Sequence, residues 1–276
     1  GRRSSSDDMP DNTWRTPGGQ LIITSGVTLV FEACMGHQLE YLKIVRQTAR
    51  RPYVTILSDI LKRRGILGLW DGFVPWGASQ AVTKGAVFGF AHNFLSRLAR
   101  RSCESRQVAD TLAGAGAGGV QGLALSPFLL LKTRIMTSSS TTQNSFLVGV
   151  HVIRREGVLA LMKGAPTFAL KRLADWGSRY AFTNLVEAHV TGSETYAQKV
   201  AASCGGGLLS ALSTIPLDVL VANLQAANSA GKPVGNPLAI FLNQPDVLAF
   251  ATRGFRARAL HVMLTTVVVK TGTAFV

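Results

Sequence analysis

The fold is decided by three short segments, Gln38-Leu-Glu40-Tyr-Leu-Lys43, Pro127-Phe-Leu129-Leu-Leu-Lys132 and Pro216-Leu-Asp218-Val-Leu-Val221. Each matches, with substitutions, a pattern of proline, a carboxylate two residues later and a base three residues after that. Their first residues are 89 residues apart in both steps. A constant period of this length predicts an internal repeat in which each copy is one supersecondary unit.

A charged residue followed by glycine comes after each segment. The glycines Gly72, Gly164 and Gly254 stand 34 to 38 residues after the first residue of their segment. The period therefore predicts a polar N-terminal tail, residues 1–19, followed by three repeats of one transmembrane domain, residues 20–99, 100–190 and 191–276.

Long apolar stretches lie on both sides of these segments. A bilayer core about 30 Å thick needs roughly 20 helical residues. Six windows of about that length occur, at residues 20–43, 73–95, 108–131, 165–187, 200–222 and 254 to the chain end. We therefore expect an all-α membrane protein with six transmembrane helices. The chain is 47% hydrophobic and only 16% charged despite a net charge of +14, which favours a membrane over nucleic acid as its environment.

Shorter amphipathic stretches separate the windows. They lie at residues 53–62, 145–155 and 238–248, and their apolar residues recur with a spacing near 3.6. This spacing predicts short helices that lie along the membrane surface.

Four charged residues interrupt the fourth window. At 100° per residue Lys171, Arg172, Asp175 and Arg179 fall within an arc of about 100° on one helix face. Charges on a membrane helix usually face a protein interior or a water-filled cavity. Arginine binds a carboxylate through two parallel hydrogen bonds and lysine supplies a point charge. We therefore expect this face to bind an anion with two or three carboxylates.

Other windows contain isolated polar residues that face the same way. Gln80 and Lys84 are one helical turn apart in the second window, and Arg258 and His261 share a face in the sixth. Glu32 is a lone carboxylate in the first window. We expect these two pairs, Gln80 with Lys84 and Arg258 with His261, to contact substrate. We expect Glu32 and Asp175 to balance charge or carry a proton. For His261 alone, a packed histidine is an alternative, and lysines at the window ends such as Lys43 and Lys132 could instead extend to lipid headgroups.

The combination of a proline-carboxylate-base segment, a surface helix and a charged-glycine step resembles the mitochondrial carrier family, from about residue 20 to the end. The resemblance implies a transporter of the mitochondrial inner membrane with six helices in three pseudosymmetric repeats, short helices on the matrix side and one central site that opens alternately to each side. The stretch Gly65-Ile-Leu-Gly-Leu-Trp70-Asp-Gly72-Phe-Val-Pro75-Trp76 is similar to members that exchange citrate and oxoglutarate.

The resemblance also implies a gate on the matrix side. In the family the carboxylate of one repeat pairs with the base of the next, which here would join Glu40 to Lys132, Asp218 to Lys43 and Leu129 to Val221. The third pair has lost both charges, and an apolar pair avoids the cost of an unpaired buried charge. Two glutamines stand where the family braces such pairs, Gln47 and Gln225. Because Gln38 replaces the first proline, we expect less bending in the first helix.

The leading hypothesis is exchange of di- or tricarboxylates such as citrate and 2-oxoglutarate by alternating access. An alternative is a carrier-fold structural or accessory subunit of a respiratory or ATP synthase assembly, and a third is transport of another anion such as a nucleotide. We expect no enzyme activity, cofactor, metal or nucleic acid. The expected partners are carboxylate anions and membrane lipids, including cardiolipin, for a monomer or a subunit of a larger complex.

Overall fold

The computed structural model describes residues 17–49, 51–137, 144–190, 195–229 and 237–274. Helices and turns account for all regular structure in these ranges, which confirms the all-α prediction. Most of the predicted polar tail, residues 1–16, lies outside the described residues. Residues 17–19 belong to the first helix.

Six long helices form the body of the fold. The first consists of α1 (Pro17–Phe31), a π-helical turn (Glu32–Gly36) and α2 (His37–Thr48). The others are α4 (Ala78–Ser102), α5 (Arg106–Thr137), α7 (Ala165–Val190), α8 (Tyr196–Ser229) and α11 (Phe255–Ala274). Each packs against the next, and α11 packs against α1 and α2, so the six long helices close into a ring.

Short helices connect the long ones at one end of the ring, called here the short-helix end. They are α3 (Tyr53–Arg64), α6 (Ser145–Glu156), α9 (Pro237–Leu242) and α10 (Val247–Ala251). The first two match the prediction, but a single helix over 238–248 is wrong. Pro245 disfavours a helix at the residue before it, and Asp246 caps a new helix by accepting a hydrogen bond of 2.9 Å from the backbone N–H of Ala249.

Two different features interrupt the three helices that contain the repeated segments. Pro127 and Pro216 lie inside α5 and α8, where each removes a backbone donor. The first long helix has Gln38 instead, but the π-helical turn just before it also breaks the regular hydrogen bonding. The carbonyl of Ala33 in this turn accepts hydrogen bonds from the Gln38 amide at 3.0 Å and the Trp70 indole at 2.7 Å. The first helix is therefore irregular at this turn, and its smaller bend stays a prediction.

Glycines bring α5, α7 and α8 into backbone contact. A Cβ added at Gly122 would lie 2.6 Å from Cα of Ala169, and one at Gly206 would lie 2.6 Å from the backbone nitrogen of Thr183. Real Cβ atoms do not approach other atoms this closely. Glycine is therefore required at both helix crossings.

Two helices in the described ranges are long and apolar enough to cross a membrane by length and composition, Arg106–Thr137 and Tyr196–Ala227. The remaining long helices carry more charge. In α7 the charged residues Lys171, Arg172, Asp175 and Arg179 stand near the middle of the helix, and all four line the cavity inside the ring.

Candidate functional site

The ring of long helices encloses a cavity of about 710 Å³. It begins near the short-helix end, beside Lys43, Lys132 and Asp218, and extends along α7 as far as Tyr180 and Glu187. All six long helices contribute lining residues. This single cavity holds every one of the substrate positions predicted from the sequence.

Two ion pairs cross the cavity at the short-helix end. Lys132 contacts Glu40, and Lys43 lies 3.3 Å from Asp218. Lys132 is 2% exposed and also donates a hydrogen bond of 3.4 Å to the amide oxygen of Gln80. The predicted partners therefore lie together, and Gln80 lies beside the first pair.

The third predicted pair is an apolar contact at the same end of the cavity. Leu129 and Val221 belong to one buried cluster with Leu125 and Phe168. Because the carboxylate and the base are both replaced by apolar residues here, neither position leaves an unpaired buried charge.

The two glutamines near the gate are almost completely buried. Gln225 accepts a hydrogen bond of 3.1 Å from the Thr133 hydroxyl. The side-chain amide of Gln47 has no hydrogen-bond partner among the described residues, although its backbone carbonyl accepts from Asn223 at 3.1 Å. The Gln47 amide is therefore not hydrogen-bonded to either ion pair among the described residues.

The charges of α7, α8 and α11 form one buried network. Lys171 lies 2.7 Å from Asp175 and 2.8 Å from Asp218, and Arg258 contacts both carboxylates. Asp218 therefore faces Lys43, Lys171 and Arg258 together, whereas the sequence predicted only Lys43. Lys171 and Arg258, both expected to contact substrate, are already neutralised in large part by protein carboxylates.

Glu32 forms a second charged cluster, with partners on α4 and α11. Its carboxylate lies 3.5 Å from Lys84 and 3.6 Å from His261, whose ring stacks on Phe31. Glu32 is 6% exposed, whereas the Lys84 side chain is 28% exposed towards the cavity. The sequence shows Glu32 as isolated, because its partners come from helices about 50 and 230 residues away.

Arg172 and Arg179 differ from the other cavity cations. Arg172 lies 3.9 Å from Asp175 and donates a hydrogen bond to the side chain of Gln121. Arg179 donates a hydrogen bond of 2.7 Å to the hydroxyl of Thr266 and has no carboxylate partner among the described residues. Each guanidinium lies 5.7 Å from the centre of the Trp176 ring between them. They are therefore the cavity cations with the weakest hold on protein carboxylates.

An aromatic cluster between α4 and α7 supports these arginines, and sequence reasoning missed it. Phe88 stacks on Trp176 with ring centres 4.0 Å apart, and His92 stacks on Tyr180 at 5.6 Å. Both pairs use residues one helical turn apart on α4 and on α7, two helices that are separated in the ring by α5. That spacing is visible in the sequence, but it indicates a contact only once α4 and α7 are known to face each other.

Outside the cavity, a third carboxylate cluster stands at the short-helix end. Glu156 at the end of α6 accepts hydrogen bonds from Arg134 at 2.6 and 3.0 Å and from Lys163 at 3.0 Å. The hydrogen bonds from Arg134 are the main cause that lowers the pKa of Glu156 to about 2.

Comparison with known proteins finds a similar family over part of the chain. A family model described as "Mitochondrial carrier protein" matches residues 104–194, which cover α5, α6 and α7. Over this part of the chain the sequence is similar to the mitochondrial carrier family. The expected location in the mitochondrial inner membrane agrees with this similarity, since members of the family are multi-pass proteins of that membrane.

Several curated carriers are similar to this chain. The citrate/oxoglutarate carrier protein of Saccharomyces cerevisiae is 28% identical over 70% of this chain and 66% of its own length. The mitochondrial basic amino acids transporter of Mus musculus is 28% identical over 72% of this chain and 68% of its own length. The mitochondrial tricarboxylate transporter 1 of Mycosarcoma maydis is 23% identical over 80% of this chain and 82% of its own length. The matched region thus spans just under two thirds of the yeast carrier, and the named cargoes of these relatives differ.

Proposed function

We propose that this carrier exchanges di- and tricarboxylates such as citrate and 2-oxoglutarate by alternating access, with all six long helices crossing the membrane in three repeats. The repeated segments at a constant spacing of 89 residues support the three repeats. Three glycines in equivalent positions support the repeats as well. Gly72, Gly164 and Gly254 precede the second, fourth and sixth long helices, α4, α7 and α11, and their φ angles are 78°, 82° and 80°. The charges that keep α7 from passing as a simple apolar span face the cavity, where lipid does not reach them.

Alternating access needs a barrier that can form on either side of the site. The ion pairs Glu40–Lys132 and Lys43–Asp218, with the apolar contact Leu129–Val221, form a barrier at the short-helix end. Opening that end requires all three contacts to separate. We assign the short-helix end to the matrix side, as the family resemblance implies.

The observation that carries the proposal is the pair Arg172 and Arg179 in the cavity wall. Seven residues place them nearly on the same face of α7, two turns apart, and both guanidinium groups turn to Trp176. A short chain with a carboxylate at each end could bind both. Each arginine can hold a carboxylate through two parallel hydrogen bonds, and their burial in the cavity wall strengthens this attraction.

The charge of the cavity favours an anion over the basic amino acids named for the mouse relative. Its lining includes seven lysine or arginine side chains and five carboxylates. Four of those carboxylates already contact protein cations, and the fifth, Glu187, is exposed at the far end. A cationic substrate would therefore meet no available carboxylate deep in the described cavity.

The test is exchange in liposomes that contain the purified protein. Liposomes loaded with citrate are supplied with labelled 2-oxoglutarate, and the initial uptake rate is compared between wild type and the variants Arg172→Gln and Arg179→Gln. We expect each variant to reduce uptake at least tenfold, because one charge-assisted contact is lost. Arg97→Gln is the matched control, since Arg97 is exposed on α4 away from the cavity, and it should transport like wild type. Uptake that is unchanged in both cavity variants would refute the assignment.

A second candidate is a structural or accessory subunit that keeps the carrier fold. The contact Leu129–Val221 favours it, because one of the three gate pairs has no charges. This candidate predicts a folded protein that copurifies with a large inner-membrane assembly and shows no exchange of any anion in the same liposomes.

A further inference from the structure

We propose that Gln121 on α5 is a positioning residue for Arg172, and that its neutral amide holds the guanidinium at the cavity wall without neutralising its charge. This inference rests on the proposed carboxylate exchange and deepens it, because it assigns part of the affinity for the substrate to a side chain that acts through Arg172. It is carried by three hydrogen bonds that connect Gln121 to α4 and α7.

The side-chain amide of Gln121 fits its surroundings in one orientation. Its nitrogen donates a hydrogen bond of 2.7 Å to the backbone carbonyl of Lys84 on α4. Its oxygen accepts hydrogen bonds from the guanidinium of Arg172 and, at 3.2 Å, from the indole of Trp176. A carbonyl can only accept a hydrogen bond, whereas a guanidinium and an indole can only donate one. Turning the amide over would therefore lose all three hydrogen bonds.

Two glycines of α5 bring Gln121 within reach of α7. A Cβ on Gly118 would lie 2.5 Å from the backbone carbonyl oxygen of Arg172, and one on Gly122 would lie 2.6 Å from Cα of Ala169. Gly118 stands about one helical turn before Gln121, and Gly122 directly follows it. Because the two backbones nearly touch here, Gln121 is only 1% exposed and its side chain reaches both adjoining helices.

The lack of charge on Gln121 distinguishes Arg172 from the lysine beside it on α7. Lys171 lies 2.7 Å from Asp175 and 2.8 Å from a second carboxylate, and these two acids neutralise it. Arg172 is 3.9 Å from Asp175, beyond hydrogen-bond distance, and donates its hydrogen bond to the Gln121 oxygen instead. An amide oxygen orients a guanidinium but carries no charge that cancels it. Arg172 is thus fixed in place and still attracts an anion.

Hydrogen-bond donors of Arg172 remain for a substrate. A guanidinium has five N–H donors, and Gln121 takes one of them. The Nε atom of Arg172 is buried and has no hydrogen-bond partner among the described residues. A carboxylate of the substrate can occupy this edge of the guanidinium through two parallel hydrogen bonds. Gln121 therefore need not touch the substrate to affect how tightly it binds.

Removal of the Gln121 oxygen should change the partner of Arg172. A carboxylate stands close by, since Asp175 lies 3.9 Å from Nη1 of Arg172. Without Gln121 we expect the guanidinium to turn towards this carboxylate, because a buried cation without an acceptor is strongly unfavourable. Arg172 would then be neutralised as Lys171 is, and a substrate anion would have to compete with Asp175 for it. The affinity for the substrate should fall, whereas the rate of the loaded carrier should not.

The experiment measures exchange of 2-oxoglutarate for itself in liposomes that contain the full chain. The initial rate at increasing external concentration gives KM and the maximal rate. Gln121→Met keeps the length of the side chain and loses all three hydrogen bonds. We expect it to raise KM about fivefold or more and to keep the maximal rate within about twofold of wild type, as a loss of binding alone does.

Gln38→Met is the matched control. It also removes a glutamine hydrogen bond to a backbone carbonyl, that of Ala33, but Gln38 does not line the described cavity. This variant should therefore keep the wild-type KM.

A second background separates positioning from a merely structural role. In the Arg172→Gln background, Gln121→Met should change KM less than about twofold, because the residue that Gln121 positions is gone. The same increase of KM in both backgrounds, or a lowered maximal rate with an unchanged KM, overturns this inference and leaves the proposed exchange intact. Absence of all exchange by the wild type overturns both.

If Gln121→Met does not fold, Gln121→Glu decides in the same assay. It keeps an oxygen acceptor for Arg172 but adds a charge that cancels the guanidinium. A KM raised about tenfold or more supports the inference, and a wild-type KM overturns it.

Discussion

The ion pair between Glu40 and Lys132 allows a quantitative prediction about the gate. Lys132 is 2% exposed, so the variant Glu40→Gln leaves a buried ammonium group without its carboxylate. Breaking a buried pair in this way typically costs about 3–5 kcal/mol. The amide oxygen of Gln80 remains as an acceptor 3.4 Å from Lys132, and we therefore expect a cost at the lower end of this range, about 3 kcal/mol. This lowers the ratio of folded, gate-closed protein to unfolded protein roughly a hundredfold.

The double variant Glu40→Leu with Lys132→Leu should behave differently. It copies the contact that Leu129 and Val221 already make in the third pair. Replacing a buried pair by apolar residues is often neutral, so the double variant should lie within about 1 kcal/mol of wild type. The expected coupling between the two positions is therefore large and favourable.

Thermal unfolding of the purified protein in detergent, followed by tryptophan fluorescence, measures both effects. The control is Arg51→Gln, which breaks the pair Arg51–Asp59, whose side chains are 60% and 38% exposed. Pairs this exposed contribute at most about 1 kcal/mol, so the unfolding temperature should change little. A double variant as unstable as Glu40→Gln, or a single variant as stable as the control, would refute the reasoning about the gate.

Two further predictions concern packing and acid stability. Gly206→Ala should lower the unfolding temperature strongly, because the added Cβ would lie 2.6 Å from the backbone nitrogen of Thr183. Gly26→Ala is the control and should have little effect, because no atom lies within 4 Å of its added Cβ. Equal effects of the two variants would contradict the packing described for α7 and α8. Glu156, whose pKa is lowered from 4.5 to about 2 by Arg134, stabilises the fold above pH 4.5 and loses this contribution as the pH falls towards 2. The variant Glu156→Gln should therefore lose part of the acid sensitivity between these values, and a variant with the wild-type acid profile would contradict the assignment.

The sequence predicts the helices well because their signals are local. The length of the apolar stretches identifies the six windows. Glycines such as Gly72 and Gly164 precede α4 and α7, and in the structure they have positive φ angles. The failure at residues 238–248 has a local cause as well. Pro245 separates two short helices there, whereas the apolar spacing on both sides of it indicates one continuous helix.

The candidate site is predicted less completely because its contacts connect distant parts of the chain. Spacing places Lys171, Arg172, Asp175 and Arg179 on one face of α7, and the structure puts all of them on the cavity wall. Spacing does not show that Asp218 is shared by several cations or that Glu32 has partners on two other helices, since those contacts depend on how the ring closes. On α7, Lys171 is neutralised by carboxylates whereas Arg179 is not, and this difference appears only when the six helices close into a ring.

The first long helix is irregular although Gln38 stands where the other two have proline. Proline interrupts a helix by removing a backbone donor. Here the π-helical turn Glu32–Gly36 interrupts the regular hydrogen bonding, and the Trp70 indole donates to the carbonyl of Ala33 from outside the helix. The substitution at Gln38 does not by itself reveal this turn.

The central claim, that the cavity selects exchangeable carboxylates, is tested most directly by the counter-substrate inside the liposome. The initial rate of labelled 2-oxoglutarate uptake is measured with citrate, lysine or buffer alone inside. The account predicts rapid uptake with internal citrate and only background uptake with lysine or buffer. Equal rates in all three, or uptake driven by lysine, would contradict it.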